Sequence, residues 1–169
     1  MLDKLSEVER ALPELLKDEA RWNGLFIDYH PPFVERLWLQ WGDYRISLHR
    51  IHPCTKEEAL FHPHPWASAM RIVHGSYEMA IGYGSGSDNP PVAALIIATQ
   101  GSSYEMTNPD AWHYVRPIGE PVYTLMVTGK PWKRESPQAD KVLQPLSDQR
   151  RKRLFDLFKK SYPTKGVSL

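Results

Sequence analysis

Apolar residues in the middle of the chain occur in short runs of strand length, with no sustained helical spacing. These runs are rich in β-branched and aromatic residues, and glycine, proline or polar residues punctuate them. The two-residue turn Gly42-Asp43 between the first two runs is typical of a β-hairpin. Strands are therefore predicted over residues 34–41, 44–51, 66–73, 76–83, 92–98, 113–118 and 122–128.

Helical periodicity is confined to the two ends of the chain. Near the N-terminus, apolar residues recur at helical intervals among charged ones, at Leu5, Val8, Leu12, Leu15 and Leu16. Pro13 is predicted to start a second short helix, because proline lacks the N–H that a helix interior needs. This helix pair is expected to pack one apolar face against the strands or against a partner subunit.

At the other end of the chain, Ser147 is a suitable N-cap for a helix over residues 148–161. Leu154, Phe155 and Phe158 lie on one side of that helix. The basic run at residues 150–153 is interpreted as a solvated face, since four consecutive residues spread around the helix axis.

The length and charge of the chain limit what it can be. Its 169 residues predict a single domain, with a helical extension at 1–33, a β-barrel at 34–132 and a C-terminal helix at 145–162. With 21 basic against 20 acidic residues, nothing in the overall charge favours nucleic acid or an anionic membrane as a partner. The single cysteine, Cys54, excludes an intramolecular disulfide and fits a reducing compartment. There is no signal-peptide core and no apolar run of membrane-spanning length, so we expect a soluble cytoplasmic protein.

Two histidines stand two residues apart in the stretch Phe61 to Trp66, FHPHPW. In an extended segment, His62 and His64 project from the same face, so two imidazoles point into one space. Each is followed by a proline, which disfavours a helix at the preceding residue and cannot donate to a sheet ladder. The pair is therefore predicted at a strand edge, where the mouth of a barrel would lie.

This stretch resembles the first motif of the cupin superfamily, in which HxH is followed by a glutamate and then a glycine, and His62, His64 and Gly75 fit it. The region 101–117 resembles the second motif, with His113 at the place of the remaining histidine ligand. Segments over about residues 37–134 are similar to small bacterial and phage cupins of unassigned activity that carry an HDHPW-like motif. The resemblance implies a jelly-roll, or double-stranded β-helix, barrel with a metal ion bound by His62, His64 and His113.

The usual cupin glutamate is replaced by Ser68, counting back from Gly75. A site of three histidines resembles that of the thiol dioxygenases, which implies iron(II) as the metal, with Mn, Ni or Zn as alternatives. Such a site keeps the full charge of the ion and should favour an anionic substrate group.

Other side chains are candidates for the same site. His49 reaches it by strand alternation, although a histidine hydrogen-bonded within the barrel wall explains that position as well. Glu78 or Glu105 could replace the missing carboxylate ligand. Four residues on the predicted strands are candidates for substrate contact, although aromatic residues on strands more often pack than react: Ser68, Met70, Tyr77 and Tyr123.

Three functions remain open at this point. The first is a metal-dependent oxygenase, similar to a thiol dioxygenase, acting on a small anionic molecule. The second is a non-catalytic small-molecule-binding or regulatory cupin, and the third is an isomerase or epimerase, for which no base is identified. A homodimer is expected, because Trp38, Trp41 and the apolar face of the N-terminal helices exceed what one small barrel needs to expose.

Overall fold

A computed structural model describes residues 1–133 and 142–164. Within these residues, ten strands and two α-helices follow one another, with a short 3₁₀ turn at Glu19–Arg21 after the first helix. The elements are α1 (Leu2–Leu15), β1 (Asn23–Ile27), β2 (Val34–Trp41), β3 (Tyr44–Ile51), β4 (His62–Pro63), β5 (Trp66–His74), β6 (Ser76–Tyr83), β7 (Val92–Thr99), β8 (Ser103–Met106), β9 (Ala111–Pro117), β10 (Val122–Pro131) and α2 (Asp148–Ser161).

The strands form two antiparallel sheets. The larger has the order β1-β2-β3-β10-β5-β8, and the smaller has the order β4-β9-β6-β7. Successive strands cross repeatedly between the sheets, as in a jelly roll. The protein therefore has the mostly-β jelly-roll barrel that the strand pattern and the resemblance predicted, with helices at both ends of the chain.

Two hydrophobic cores lie on opposite faces of the larger sheet. Alternation sends Leu37 and Leu48 towards the helices, where they meet Leu12 and Phe158 in the first core. On the other face of the larger sheet, Met70 and Ile72 of β5 and Met126 of β10 meet Tyr77 and Met79 of the smaller sheet in the second core. Met70 and Met126 of the second core also line a cavity between the two sheets.

Two predicted turns are present. Trp41 pairs with Tyr44, so Gly42-Asp43 closes a hairpin, with Gly42 at a φ of 58°. Gly75, at a φ of 85°, links β5 to β6 and leads the chain from the larger sheet to the smaller. A Cβ at this position would lie 3.1 Å from Val122 as well as straining the backbone, so glycine is needed there.

The N-terminal region differs from the prediction in two ways. One helix runs through Pro13 and ends at Leu15, so the predicted helix pair is wrong. Pro13 falls in the last turn, where the missing N–H removes one hydrogen bond, while burial of Leu5, Val8 and Leu12 holds the helix together. The extension at 1–33 is also not wholly helical, because β1 pairs with β2 along its whole length.

The apolar surfaces expected to form a dimer interface are largely covered within the chain. The apolar face of α1 is buried in the first core. Trp38 and Trp41 are only half-exposed, and cations lie over their rings, from Arg45 and Lys4 respectively. In the described parts of the chain, no helix has both the length and the apolar character needed to cross a membrane.

The basic run on α2 is only partly solvated. Arg150 and Arg153 approach the carboxylate of Glu35 on β2, which is 1% exposed and also meets Arg50 and His52. The nearest nitrogen is that of Arg50, whose Nη1 donates a hydrogen bond of 2.9 Å to Oε1 of Glu35. One buried carboxylate thus links the larger sheet to the C-terminal helix.

Burial by itself raises the pKa of the Glu35 carboxyl. The hydrogen bond with His52 and the charges of Arg50 and Arg153 lower it by more, so the pKa of Glu35 lies below its usual range. The charged form is therefore stabilised in the folded protein. That contribution is complete above the unfolded-state pKa of about 4.3 and is lost as the pH falls through the folded-state value.

Replacing Glu35 with glutamine removes this charge and keeps the size of the side chain. We expect Glu35→Gln to lower the free energy of unfolding by about 3 kcal/mol at pH 7. This is the lower end of the range for breaking a buried ion pair, because the cations around Glu35 are partly exposed. Urea denaturation should show the difference from wild type shrinking as the pH falls below about 4. Glu14→Gln, which breaks an exposed pair with Lys17, is the control and should change little. A difference in unfolding free energy between wild type and Glu35→Gln that did not depend on pH would contradict the ionic role of Glu35.

Candidate metal centre and cavity

The short edge strand β4 brings the histidine pair against β9. In this ladder His62 pairs with His113 and Pro63 pairs with Trp112. His64 follows two residues after His62, and its Nε2 lies 2.8 Å from Nε2 of His113. The ligand nitrogens of the three residues all lie within 4.8 Å of one another. The predicted edge position and the predicted meeting of these three histidines are both present.

Each of the three histidines has a ring nitrogen that is not bonded to the backbone or to a side chain outside the cluster. Nδ1 of His62 donates to the carbonyl oxygen of Leu60 at 2.9 Å, which leaves Nε2 of His62 unprotonated. Nδ1 of His64 and Nδ1 of His113 are buried and meet no hydrogen-bond partner among the described residues. Two Nε2 atoms that are 2.8 Å apart are at hydrogen-bond distance, so one ring donates a proton to the other unless both nitrogens bind one metal ion.

The surroundings keep the three imidazoles neutral. Burial lowers the pKa of His62 to about 4, even though the bond to Leu60 opposes the shift. Burial, with repulsion from His62 and Arg36, lowers the pKa of His64 to about 3. The pKa of His113 is also lowered well below its ordinary value by burial and by the other two histidines. Neutral imidazole is the form that binds a metal ion, so the cluster is ready to do so at pH 7.

The spacing of the nitrogens fits a divalent first-row metal. Imidazole nitrogens bind such an ion at about 2.0–2.1 Å, which places two ligands of one ion roughly 3 to 3.5 Å apart. The His64 to His113 separation of 2.8 Å is close to this, and the ligand nitrogen of His62 lies within 4.8 Å of the other two. Among the described residues, His62, His64 and His113 are the one group of histidine, cysteine or acidic side chains found to be arranged in this way.

The cluster opens into a cavity of about 230 Å³ between the two sheets. Most of the lining is apolar, and it includes Leu25 and Ile27 of β1, Trp66 and Met70 of β5, and Met126 of β10. The volume is below the 300–1,000 Å³ typical of sites for drug-sized molecules. The cavity is therefore suited to a small ligand with an apolar body.

Among the described residues, one arginine lines this cavity. Arg36 of β2 is half-buried, and burial together with repulsion from Arg45 lowers its pKa to about 10. It is still protonated at neutral pH. Its Nε donates to Nε2 of His49 at 2.9 Å, and no carboxylate of the described residues pairs with it. A partly buried guanidinium without a counter-ion favours an anion beside it.

The contact with Arg36 determines the role of His49. Because arginine can only donate, Nε2 of His49 must be the acceptor, so the ring proton is on Nδ1 and donates to Oγ1 of Thr124 at 3.1 Å. Burial and the charge of Arg36 lower the pKa of His49 well below its ordinary value. Its lone pair is already used, so His49 holds Arg36 in place and is not a fourth ligand in this arrangement.

The two glutamates considered as ligands lie elsewhere. Glu78 accepts hydrogen bonds from Tyr114 and Arg116 on the face of the smaller sheet turned away from the cavity. Glu105 pairs with the N-terminal amine of Met1 at 2.8 Å. Neither carboxylate belongs to the three-histidine cluster.

Of the four residues expected to contact a substrate, Met70 lines the cavity. Ser68 is 3% exposed on the same face of β5, where it pairs with Thr128 and Met106 and lies outside the lining. Tyr77 is buried in the second core, its hydroxyl 2.6 Å from that of Tyr104. Tyr123 lies on the opposite face of the larger sheet, against Phe158 of α2. Strand alternation places Tyr123 there, next to Leu125, and excludes it from the cavity.

Sequence reasoning missed the contribution of the N-terminal region. Tyr29, His30 and Arg36 all line the cavity, and the ring of His30 lies 6.2 Å from that of His62. One signal was available for Arg36, since it alternates with Leu37 and Leu39 and so lies on the opposite face of β2 from these core residues. His30 carried no such signal, because it precedes the strand in an irregular segment.

Comparisons with known proteins give only distant similarities. No protein-family model matches the chain, and no curated protein matches it. Among solved structures, the hydroxypropylphosphonic acid epoxidase from S. wedmorenis is 12% identical, with 62% of this chain and 55% of that chain covered and a TM-score of 0.49. A protein from Bacillus halodurans is 16% identical, with 73% and 83% covered and a TM-score of 0.47.

A protein of unknown function from Streptococcus pyogenes is 18% identical, with 58% of this chain and 73% of that chain covered and a TM-score of 0.42. The match to the epoxidase spans about half of that enzyme's length. None of these similarities assigns the chain to a family, so its function is argued from the three histidines and the cavity around them.

Proposed function

We propose that the protein is a metal-dependent oxygenase that uses His62, His64 and His113 to bind iron(II) and acts on a small anionic molecule. The observation that carries this proposal is the convergence of three neutral imidazoles at the mouth of an apolar cavity that also holds a cation. A structural role for the cluster would not require the cavity or the arginine.

The substrate class follows from the charges. Three neutral ligands leave the full charge of a divalent ion, and Arg36 adds a second positive charge to the same cavity. In a largely apolar enclosure these charges attract an anionic group strongly, because little water screens them. A thiolate, carboxylate or enolate on a small apolar body meets both requirements.

The side chains then have distinct roles. Arg36 binds and orients the anionic group, and His49 holds the guanidinium in position through the hydrogen bond to its Nε. Trp66, Met70 and Met126 contact the apolar body and exclude water. A bound iron(II) ion would supply Lewis acidity and the redox chemistry of oxygen activation.

The proposed reaction is a dioxygenation, with O₂ as the co-substrate. Both oxygen atoms enter the substrate, which loses four electrons to O₂, so no further reductant takes part. For a thiolate the balanced change is RS⁻ + O₂ → RSO₂⁻. Oxygen uptake by the iron-loaded protein, measured with panels of small thiols and keto acids, tests this step. Stoichiometric iron binding without uptake for any member would favour the alternative, a non-catalytic small-molecule-binding protein.

Loss of a histidine ligand should remove most of the metal affinity. We expect His62→Ala and His113→Ala each to weaken cobalt(II) or iron(II) binding by at least about 100-fold, because each supplies one of only three protein ligands. Isothermal titration of the metal-free protein measures the affinity, and the visible absorption of bound cobalt(II) reports the ligand geometry.

His74→Ala is the matched control, since His74 is exposed at the end of β5 and belongs to no cluster. It should leave both the affinity and the spectrum unchanged. Equal affinity in wild type, His62→Ala and His113→Ala would rule out the three-histidine site.

The anion site can be tested apart from the metal ligands. Acetate is a suitable probe, with acetamide as its neutral counterpart, and binding is followed by the absorption of the cobalt(II)-loaded protein. Arg36→Gln should weaken acetate binding roughly 10- to 100-fold, the loss of a hydrogen bond to a charged group, and should leave acetamide binding unchanged.

If His49 positions Arg36, substitutions at His49 should weaken acetate binding to different degrees. His49→Leu removes the acceptor for Arg36 and should weaken acetate binding, whereas His49→Gln retains an acceptor and should weaken it less. Equal losses for acetate and acetamide in Arg36→Gln would show that the substitution only disturbs the cavity.

A further inference from the structure

The strand β7 forms one edge of the smaller sheet and is open to solvent. Seven of its eight residues are exposed, and Ala98 is the one that is buried. Leu95 and Ile97 are each 56% exposed and Ile96 is 42% exposed. None of the residues in the segment VAALIIAT is charged. A long apolar edge strand of this kind readily pairs with another strand.

The other sheet edges in the described chain are protected. β4 has two residues and contains Pro63, which cannot donate to a ladder. β8 has four residues, and its Glu105 is engaged by the N-terminal amine. On β1, the N–H of Phe26 donates to the carbonyl oxygen of Gln144. Of the four edges, β7 alone combines length, apolar character and exposure.

Both faces of β7 are apolar. Ile96 pairs with Met79 of β6 and therefore points to the same side as the second core. Leu95 and Ile97 pair with Ala80 and Glu78 and point to the outer side of the sheet. A solvent-facing edge would ordinarily place polar side chains on the outer face. Apolar residues on both faces indicate that each face continues onto another strand.

We propose that β7 is the interface of a homodimer, in which two copies of β7 pair antiparallel about a two-fold axis and join their four-stranded sheets into one of eight strands. An axis perpendicular to the sheet keeps every side chain on its own face, so only residues separated by an even number of positions can stand opposite one another. With the axis at Ile96, this residue faces its own counterpart. Each Leu95 then faces an Ile97, and each Ala94 faces an Ala98.

This register matches large side chains with large ones and small with small, which is the self-complementarity that a two-fold interface needs. The strand has no charge that would oppose pairing with itself or select a chain of opposite charge. Pairing also consumes the exposed edge of both copies, so assembly stops at the dimer. The histidine cluster involves β4, at the far side of the sheet from β7, so the dimer does not depend on metal binding.

The first test is sedimentation velocity over a range of protein concentrations. The wild type is expected to show a concentration-dependent dimer, and Leu95→Lys should raise the dissociation constant by about 30-fold or more, as loss of a central interface residue does. Position 95 is exposed in the isolated chain, so the fold should be unaffected, and an unchanged circular dichroism spectrum would verify this. Val142→Lys is the control, since Val142 is 84% exposed and outside the strand, and it should remain dimeric.

The second test determines the register in which the two copies of β7 pair. The double variant Leu95→Lys/Ile97→Glu places opposite charges face to face across the two-fold and should recover the dimer, whereas Leu95→Lys/Ile97→Lys should stay monomeric. In a Cys54→Ser background, Ile96→Cys should form a disulfide-linked dimer under mild oxidation, because position 96 meets itself on the axis. Leu95→Cys and Ile97→Cys should not, since their counterparts are offset by two residues.

A protein that sediments as a monomer at every concentration would overturn the proposal, and so would a dimer that Leu95→Lys leaves intact. Cross-linking through position 95 or 97 in place of 96 would overturn the register. Each of these outcomes is independent of metal binding and leaves the proposed function untouched.

Discussion

The two-residue alternation of the larger sheet is the constraint on which the rest of the structure depends. Each of its central strands serves two environments at once, the helices on one face and the barrel interior on the other. A one-residue slip of β2 against β3 would exchange Arg36 with Leu37, placing a cation in the helical core and an aliphatic side chain in the cavity. The packing of the helices and the composition of the cavity are therefore set by the same register.

Burial in the cavity has opposite consequences for the two kinds of base that line it. For His62, His64 and His113, removal from water favours the neutral ring, which has a lone pair available. For Arg36 the same environment lowers the pKa only to about 10, so the guanidinium keeps its proton. The result is neutral ligands beside a fixed positive charge in a region of low dielectric. This combination suits a divalent ion together with an anionic ligand, and neither feature alone would define the ligand class.

The two edge strands of the smaller sheet have different roles. The shortest strand, β4, contains Pro63, which keeps it at an edge, and there His62 pairs with His113 of β9 while His64 follows just after the strand. The long edge β7 has no such protection and is apolar on both faces. The sheet thus has a site at one edge and a surface suited to another strand at the opposite edge. In contrast, the buried carboxylate of Glu35 stabilises the packing of α2 against the larger sheet, because it joins β2 and β3 to α2 through several cations.

The sequence by itself determined seven of the ten strands in the described chain, a helix near each end and the histidines that converge, whereas β1, β4 and β8 were not predicted as strands. Period-two patterning, turn glycines and the proline-flanked pair are local signals, and each is governed by steric rules that act over a few residues. Only the tertiary structure could decide which inward-facing residues share the cavity. Whether Ser68, Tyr77 and Tyr123 reach the cavity depends on their position along the strand and on the face of the sheet that they occupy. The packing between the sheets sets both. Arg36 and His49 acquire their roles from a contact across two strands, and the proton on His49 follows from a partner thirteen residues away. Contacts between strands depend on the register of the sheet, and steric rules that act over a few residues do not determine that register.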